Sequence, residues 1–138
     1  MATMFDVLFP YTGYLALILR VWVGANFLLH ARPKLLGLPQ VAQQMKGLGV
    51  PEGATYAATA LELGGGISLI LGLLVPVVGA LFVVFMVSNS VMKKRKMHAD
   101  YISPGKTSYE IDMLYLALAL VLMFLGAGAF SVDSAFGV

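Results

Sequence analysis

The chain has no cysteine. Disulfides, thiolate catalysis, iron–sulfur ligation and the c-type haem attachment motif are therefore excluded within it. Charge is also scarce: 12% of the 138 residues are Asp, Glu, Lys or Arg, against about 25% in a soluble domain. Histidine occurs twice, at His30 and His98, too few for an ordinary metal site, and no metal is expected. The most informative shortage is local. Of nine Lys and Arg, eight fall after the first and third of four apolar stretches, at Arg32, Lys34 and Lys46 and at Lys93, Lys94, Arg95, Lys96 and Lys106. The opposite side of the apolar stretches has none. Short loops rich in Lys and Arg stay cytoplasmic, so this asymmetry predicts an orientation. The N-terminus has no basic residue before Arg20 and carries Asp6, which argues against a cleavable signal peptide and for a retained first helix.

What is present is hydrophobic: 59% of the residues, in a chain of one domain's length. A membrane helix needs about 20 mostly apolar residues. The stretches predict helices over about 11–31, 54–74, 77–92 and 109–126, the first closed by Pro33 and the middle two joined tightly around Pro76. Leu35, Leu36, Leu38, Val41, Met45 and Leu48 alternate with Gln40, Gln43, Gln44 and Lys46, which predicts a short helix lying in the interface, ended by Gly47 and Gly49-Val50-Pro51. The expected fold is an all-α antiparallel four-helix transmembrane bundle, a single domain over 1–138. Both ends would lie on the non-cytoplasmic face of the cell membrane, with loops 32–53 and 93–108 cytoplasmic. Membrane lipids are then natural partners, anionic headgroups above all. Positive-inside topology accounts for the run Lys93–Lys96, and no nucleic-acid partner is expected.

Two charges fall within the apolar stretches. Arg20 lies ~16 Å from the cytoplasmic end of its helix and Glu62 ~12 Å from the end of the next. An isolated charge at that depth costs far more than a paired one, so an Arg20–Glu62 ion pair is expected, as a register device or as chemistry. His30 lies near the cytoplasmic end beside the face of Arg20, Gly24 and Phe27, where an imidazole can relay a proton or simply hydrogen-bond a loop carbonyl. Gly64-Gly65-Gly66 either permits close helix packing or clears space beside Glu62 for a ligand ring. Tyr109 and Glu110 open the fourth helix, where an acid suits the macrodipole; they can also close a pocket below His30.

The order Arg20-x3-Gly24-x2-Phe27-x2-His30-x3-Lys34, Gly49-Val50-Pro51, Glu62-Leu63-Gly64-Gly65-Gly66, Tyr109-Glu110 and Ser131-Val132-Asp133 resembles the DoxX family along nearly the whole chain. Two positions depart from the family pattern: Ala31 stands where glycine is usual, and Ala127 between Gly126 and Gly128 where proline is frequent. The resemblance implies a small four-helix membrane protein, and kinship with the DoxD-type subunit of thiosulfate:quinone oxidoreductases. Fold alone does not fix a reaction. Two functions are therefore carried forward. The first is an accessory subunit of a membrane-bound redox or respiratory complex, with protein partners. The second is a quinone-linked oxidoreductase subunit, with Arg20, Glu62 and His30 in the chemistry and Gly24, Gly65, Gly66 and Tyr109 around a quinone.

Overall fold

A computed structural model describes residues 9–137. The reading of the N-terminus that rests on Asp6 lies outside the described residues. A single 3-10 turn, Phe9–Tyr11, leads into α1, Thr12–Leu36. Then come α2 (Leu38–Gly47), α3 (Glu52–Leu71), α4 (Val75–Lys96), α5 (Glu110–Leu125) and a short α6 (Val132–Phe136). No strand occurs among the described residues; Asp100 and Ser108 form one isolated bridge.

Two helices run further than expected. α1 does not stop before Pro33 but continues through it to Leu36. The carbonyl that Pro33 leaves without a donor belongs to Leu29, and both residues are exposed; a proline one turn from a helix end disrupts little beyond it. α4 takes Pro76 into its first turn, where the missing N–H costs nothing, and extends to Lys96. The run Lys93–Lys96 is therefore the last helical turn and not loop, and its positive charge complements the C-terminal end of the macrodipole. α2 is the expected short amphipathic helix, with Ala42 its one buried residue, and Gly49 follows it at φ +77°.

Burial follows helical spacing. In α1 it takes Ala16, Arg20, Val23, Gly24, Phe27 and Ala31, one face of the helix. α1 lies antiparallel on α3. An added Cβ on Gly24 would stand 2.6 Å from the Gly66 carbonyl oxygen, and one on Gly66 2.9 Å from that of Gly24. α4 and α5 approach as closely at Gly79, where a Cβ would meet the Met123 nitrogen at 2.9 Å. Between these pairs sits the core of Val23, Phe27, Leu69, Val78, Phe82 and Leu122. The Phe27 and Phe82 rings stack with centroids 3.8 Å apart.

The outward faces are apolar too, with Ile18, Trp22, Leu29, Val84 and Phe124 all well exposed. A surface so apolar suits a lipid environment and not water. Three helices, spanning residues 9–36, Glu52–Leu71 and Val75–Lys96, are long and apolar enough to cross a membrane. α5 has 16 residues, about 24 Å of helix, and so falls short of the expected fourth full-length span.

Candidate functional site

The buried polar residues divide into two groups at opposite ends of the helices. At one end, α3 and α4 meet in a hairpin of Gly72, Leu73 and Leu74, with Gly72 and Leu74 both left-handed. The end of α3 leaves carbonyls unpaired and the start of α4 leaves N–H groups unpaired. Arg20 answers the first. Its Nη1 donates to the Leu69 oxygen at 3.0 Å and to that of Ile70, and its Nη2 to the Phe130 oxygen. Asp133 answers the second, accepting from Leu74 N at 2.8 Å and Val75 N at 3.2 Å, while its own N–H donates to Gly72 O at 3.0 Å. A cation thus sits on the negative end of one helix dipole and an anion on the positive end of the next. Gly72 is indispensable here: at φ +73° it turns the chain, and a Cβ would stand 2.9 Å from the Arg20 guanidinium carbon.

At the other end, Lys34 Nζ lies 2.6 Å from Glu62 Oε1. The pair joins α1 to α3, with Glu62 almost fully buried and Lys34 a third exposed (side chains 4% and 33%). Lys93 Nζ lies 2.7 Å from Asp112 Oδ2 and joins α4 to α5. Both lysines come from the basic end of the molecule and reach inward along their hydrocarbon stems.

The expected Arg20–Glu62 pair does not form. Helix register is the reason. Gly24 faces Gly66 and Arg20 faces Ile70, so Glu62 faces the level of Leu28, about 12 Å along α1 from Arg20. The depth comparison erred because α1 runs five residues beyond Ala31, to Leu36. The expected ligand space is also filled. A Cβ on Gly65 would stand 2.7 Å from the Phe82 ring, so Gly24, Gly65 and Gly66 are close-packing positions. His30 is exposed and meets Tyr115 edge-on, ring centroids 6.2 Å apart. Tyr109 meets Tyr101 at 5.4 Å and begins α5. The structure therefore separates Arg20 from Glu62, and its contacts tie His30 and Tyr109 to neither. Grooves of about 240 and 400 Å³ flank the Arg20 end; neither is lined by Glu62, Gly24, Gly65, Gly66 or Tyr109. No cluster of three or more His, Cys, Asp or Glu side chains among the described residues can hold a metal.

The DoxX family model matches residues 15–92, from the start of α1 almost to the end of α4. The chain belongs to the DoxX family. Two relatives are similar over most of their lengths. "Putative oxidoreductase CatD" of Bacillus subtilis (strain 168) is 29% identical over 117 residues, 85% of this chain and 83% of the relative. "Inner membrane protein YphA" of Escherichia coli (strain K12) is 27% identical over 123 residues, 86% of this chain and 88% of the relative. No solved structure matches. In this DoxX chain the matched region holds both polar groups except Lys93, Asp112, Phe130 and Asp133.

Sequence reasoning missed Lys34 as the partner of Glu62, Lys93 as the partner of Asp112, and Asp133 as the cap of α4. For Lys34 a signal existed. It ends the i, i+4, i+7 face of Arg20, Gly24 and Phe27 and lies toward the same basic loop as Glu62. For Asp133 no local signal exists, because its partners lie 58 and 59 positions away.

Proposed function

We propose that this DoxX protein is an accessory subunit of a membrane-bound redox complex, inserted as an antiparallel four-helix bundle with its basic end in the cytoplasm. α5 completes the crossing together with α4, against which it lies from Gly79 to Lys93; its length is made up by residues at either end, thinning of the bilayer or both. Residues 9 and 137 then lie on the non-cytoplasmic side. The redox setting is supported by the Bacillus relative, whose name is that of an oxidoreductase.

One observation carries the accessory role. α3 turns Gly53, Ala57, Ala60 and Gly64 outward, and an added Cβ on Gly53 or Gly64 would meet nothing within 4 Å. Small residues at helical spacing let a second backbone approach in a membrane, and a lone bundle solvated by lipid has no use for them. The test is native mass spectrometry of the tagged chain, gently extracted from its own membranes. A stable assembly containing a redox protein is the expected result. A lone chain, or a homo-oligomer, would end the accessory reading.

The second reading, a quinone-linked subunit of the thiosulfate:quinone type, is favoured by one feature. Glu62 Oε2 is buried and has no hydrogen-bond partner, although Lys34 holds the other oxygen. A carboxylate with a free oxygen beside an ammonium suits the hydroxyl and carbonyl of a quinol/quinone pair, with Lys34 in the place expected of Arg20. Lipid extraction of the purified protein decides it: equimolar quinone supports the reading, and quinone no higher than in a Glu62→Gln variant removes it.

A further inference from the structure

Among the described residues, five buried side-chain atoms have no hydrogen-bond partner: Arg20 Nε, Thr55 Oγ1, Glu62 Oε2, Ser90 Oγ and Asp112 Oδ2. The last of these is held in an ion pair by Lys93 Nζ at 2.7 Å. Thr55, Ser90 and Asp112 sit at the basic end of the molecule, and Glu62 lies midway along α3.

Register brings Thr55, Ser90 and Asp112 to one level, with Glu62 about two turns above it. The hairpin turns at Gly72–Leu74, and Gly65 against Phe82 shows α3 and α4 descending from it in step. Thr55 and Ser90 are then at one depth, each about 25 Å below the turn, and Glu62 is nearer the turn. Gly79 against Ala119 and Met123 sets α5 beside α4, which brings Asp112 to the level of Ser90. Thr55, Thr59 and Glu62 follow i, i+4, i+7 spacing on one face of α3, and all are buried. The Thr59 hydroxyl is spent on the Thr55 carbonyl at 3.0 Å, leaving the Thr55 hydroxyl unpaired.

Buried polar atoms almost always have a partner, in the protein or in ordered water. Within an apolar surround having none is heavily penalised, so hydration is strongly favoured. Above this layer, toward the hairpin, stand the buried Met86, then the stacked Phe27 and Phe82 rings, with Leu69 and Val78 beyond. Below it stand Lys34 and Lys93, both partly exposed.

We propose that Thr55, Glu62, Ser90 and Asp112 line a hydrated vestibule that opens at the basic end between Lys34 and Lys93 and stops at the Phe27–Phe82 stack. Its ligand is water, admitted from one side of the membrane only. Lys34 from α1 pairs with Glu62, Lys93 from α4 pairs with Asp112 from α5, and His30 meets Tyr115 edge-on. The inference rests on the membrane disposition proposed above and on nothing about a redox partner.

The chain has no cysteine, so one introduced thiol is a unique reporter. Ser90→Cys replaces a hydroxyl by a thiol of similar size. Val78→Cys places the reporter in the apolar region beyond the aromatic stack, and Lys106→Cys marks the basic loop. Each full-length variant is treated in sealed vesicles of either orientation with a small, charged, water-soluble methanethiosulfonate. Ser90→Cys is expected to react within about tenfold of Lys106→Cys and from the same side, and Val78→Cys at least about a hundredfold more slowly, since thiol reactivity needs water and access. Ser90→Cys as slow as Val78→Cys would mean a dry layer and would overturn the vestibule. Lys106→Cys reacting from the non-cytoplasmic side would overturn the orientation and leave the vestibule standing if Ser90→Cys follows it. A Thr55→Cys variant repeats the reading from α3 and covers the case in which Ser90→Cys does not fold.

Discussion

Lys34 and Glu62 approach to 2.6 Å, yet the acid is buried and the base a third exposed. The two halves of the pair should therefore answer differently to removal. Lys34→Met leaves a carboxylate in the interior with no counter-charge, a loss of about 2 kcal/mol, below the ~3–5 kcal/mol of a fully buried pair because the lysine is partly solvated. Glu62→Gln leaves an ammonium that can turn outward to water and costs about half as much. The double variant should be milder than the sum of the singles, and thermal unfolding in micelles reads all three. Exchanging the two charges should recover most of the stability. The same exchange between Arg20 and Glu62 should recover nothing, and a recovery there would mean that the register of α1 on α3 is wrong. Both charges stand out in the sequence because charge is so scarce in the apolar stretches. Their pairing does not, because it depends on where two helices end, and the end of α1 was hidden by a proline that the helix passes through.

Elements are held in register by the places where backbone meets backbone. Gly24 against Gly66 fixes α1 on α3, and Gly79 against Met123 fixes α4 on α5. A methyl added at Gly24 would overlap both the Gly66 carbonyl at 2.6 Å and Ile70 at 2.9 Å. Gly24→Ala is therefore expected to destabilise by about 1–3 kcal/mol despite the better helix propensity of alanine; denaturant unfolding that leaves it equal to the parent would contradict the close approach. The α3–α4 hairpin depends on charge. Asp133→Ala strips the acceptor from Leu74 N and Val75 N, a cap whose loss costs about 1–2 kcal/mol. It should also free residues 126–136, which contact the hairpin through Asp133 and through the Phe130 carbonyl on Arg20. Limited proteolysis checks this: cleavage at Phe130 should rise in Asp133→Ala and in Arg20→Lys, which loses the planar fork that reaches three carbonyls. The helices themselves were legible from hydropathy, and α2 from its two-sided pattern. The clasp was not, because its acid comes from the short α6 after the last long helix and its acceptors are main-chain carbonyls, which every residue has.

For the whole molecule, three successive glycines on α3 point three ways. Gly66 meets Gly24 on α1, Gly65 meets Phe82 on α4, and Gly64 meets nothing within 4 Å. The first two are required by the bundle itself. The third weakens the helix by about 1 kcal/mol relative to alanine and gives the isolated chain nothing in return. It becomes intelligible if a foreign helix lies along Gly53, Ala57, Ala60 and Gly64, where the absence of side chains permits close approach. Gly64→Leu separates the two cases. In a protein that works alone, leucine at this outward position is neutral or slightly stabilising, and function is unaffected. In an accessory subunit the thermal stability of the purified chain is equally unharmed, but the leucine side chain holds the partner off, and the assembly seen by native mass spectrometry falls at least about tenfold, the loss expected for ~1.4 kcal/mol of overpacking. Retention of the partner in Gly64→Leu membranes would move the interface to another face. Loss of the partner in Gly64→Leu with no loss in Gly24→Ala, which perturbs only the inner packing, would place it along α3.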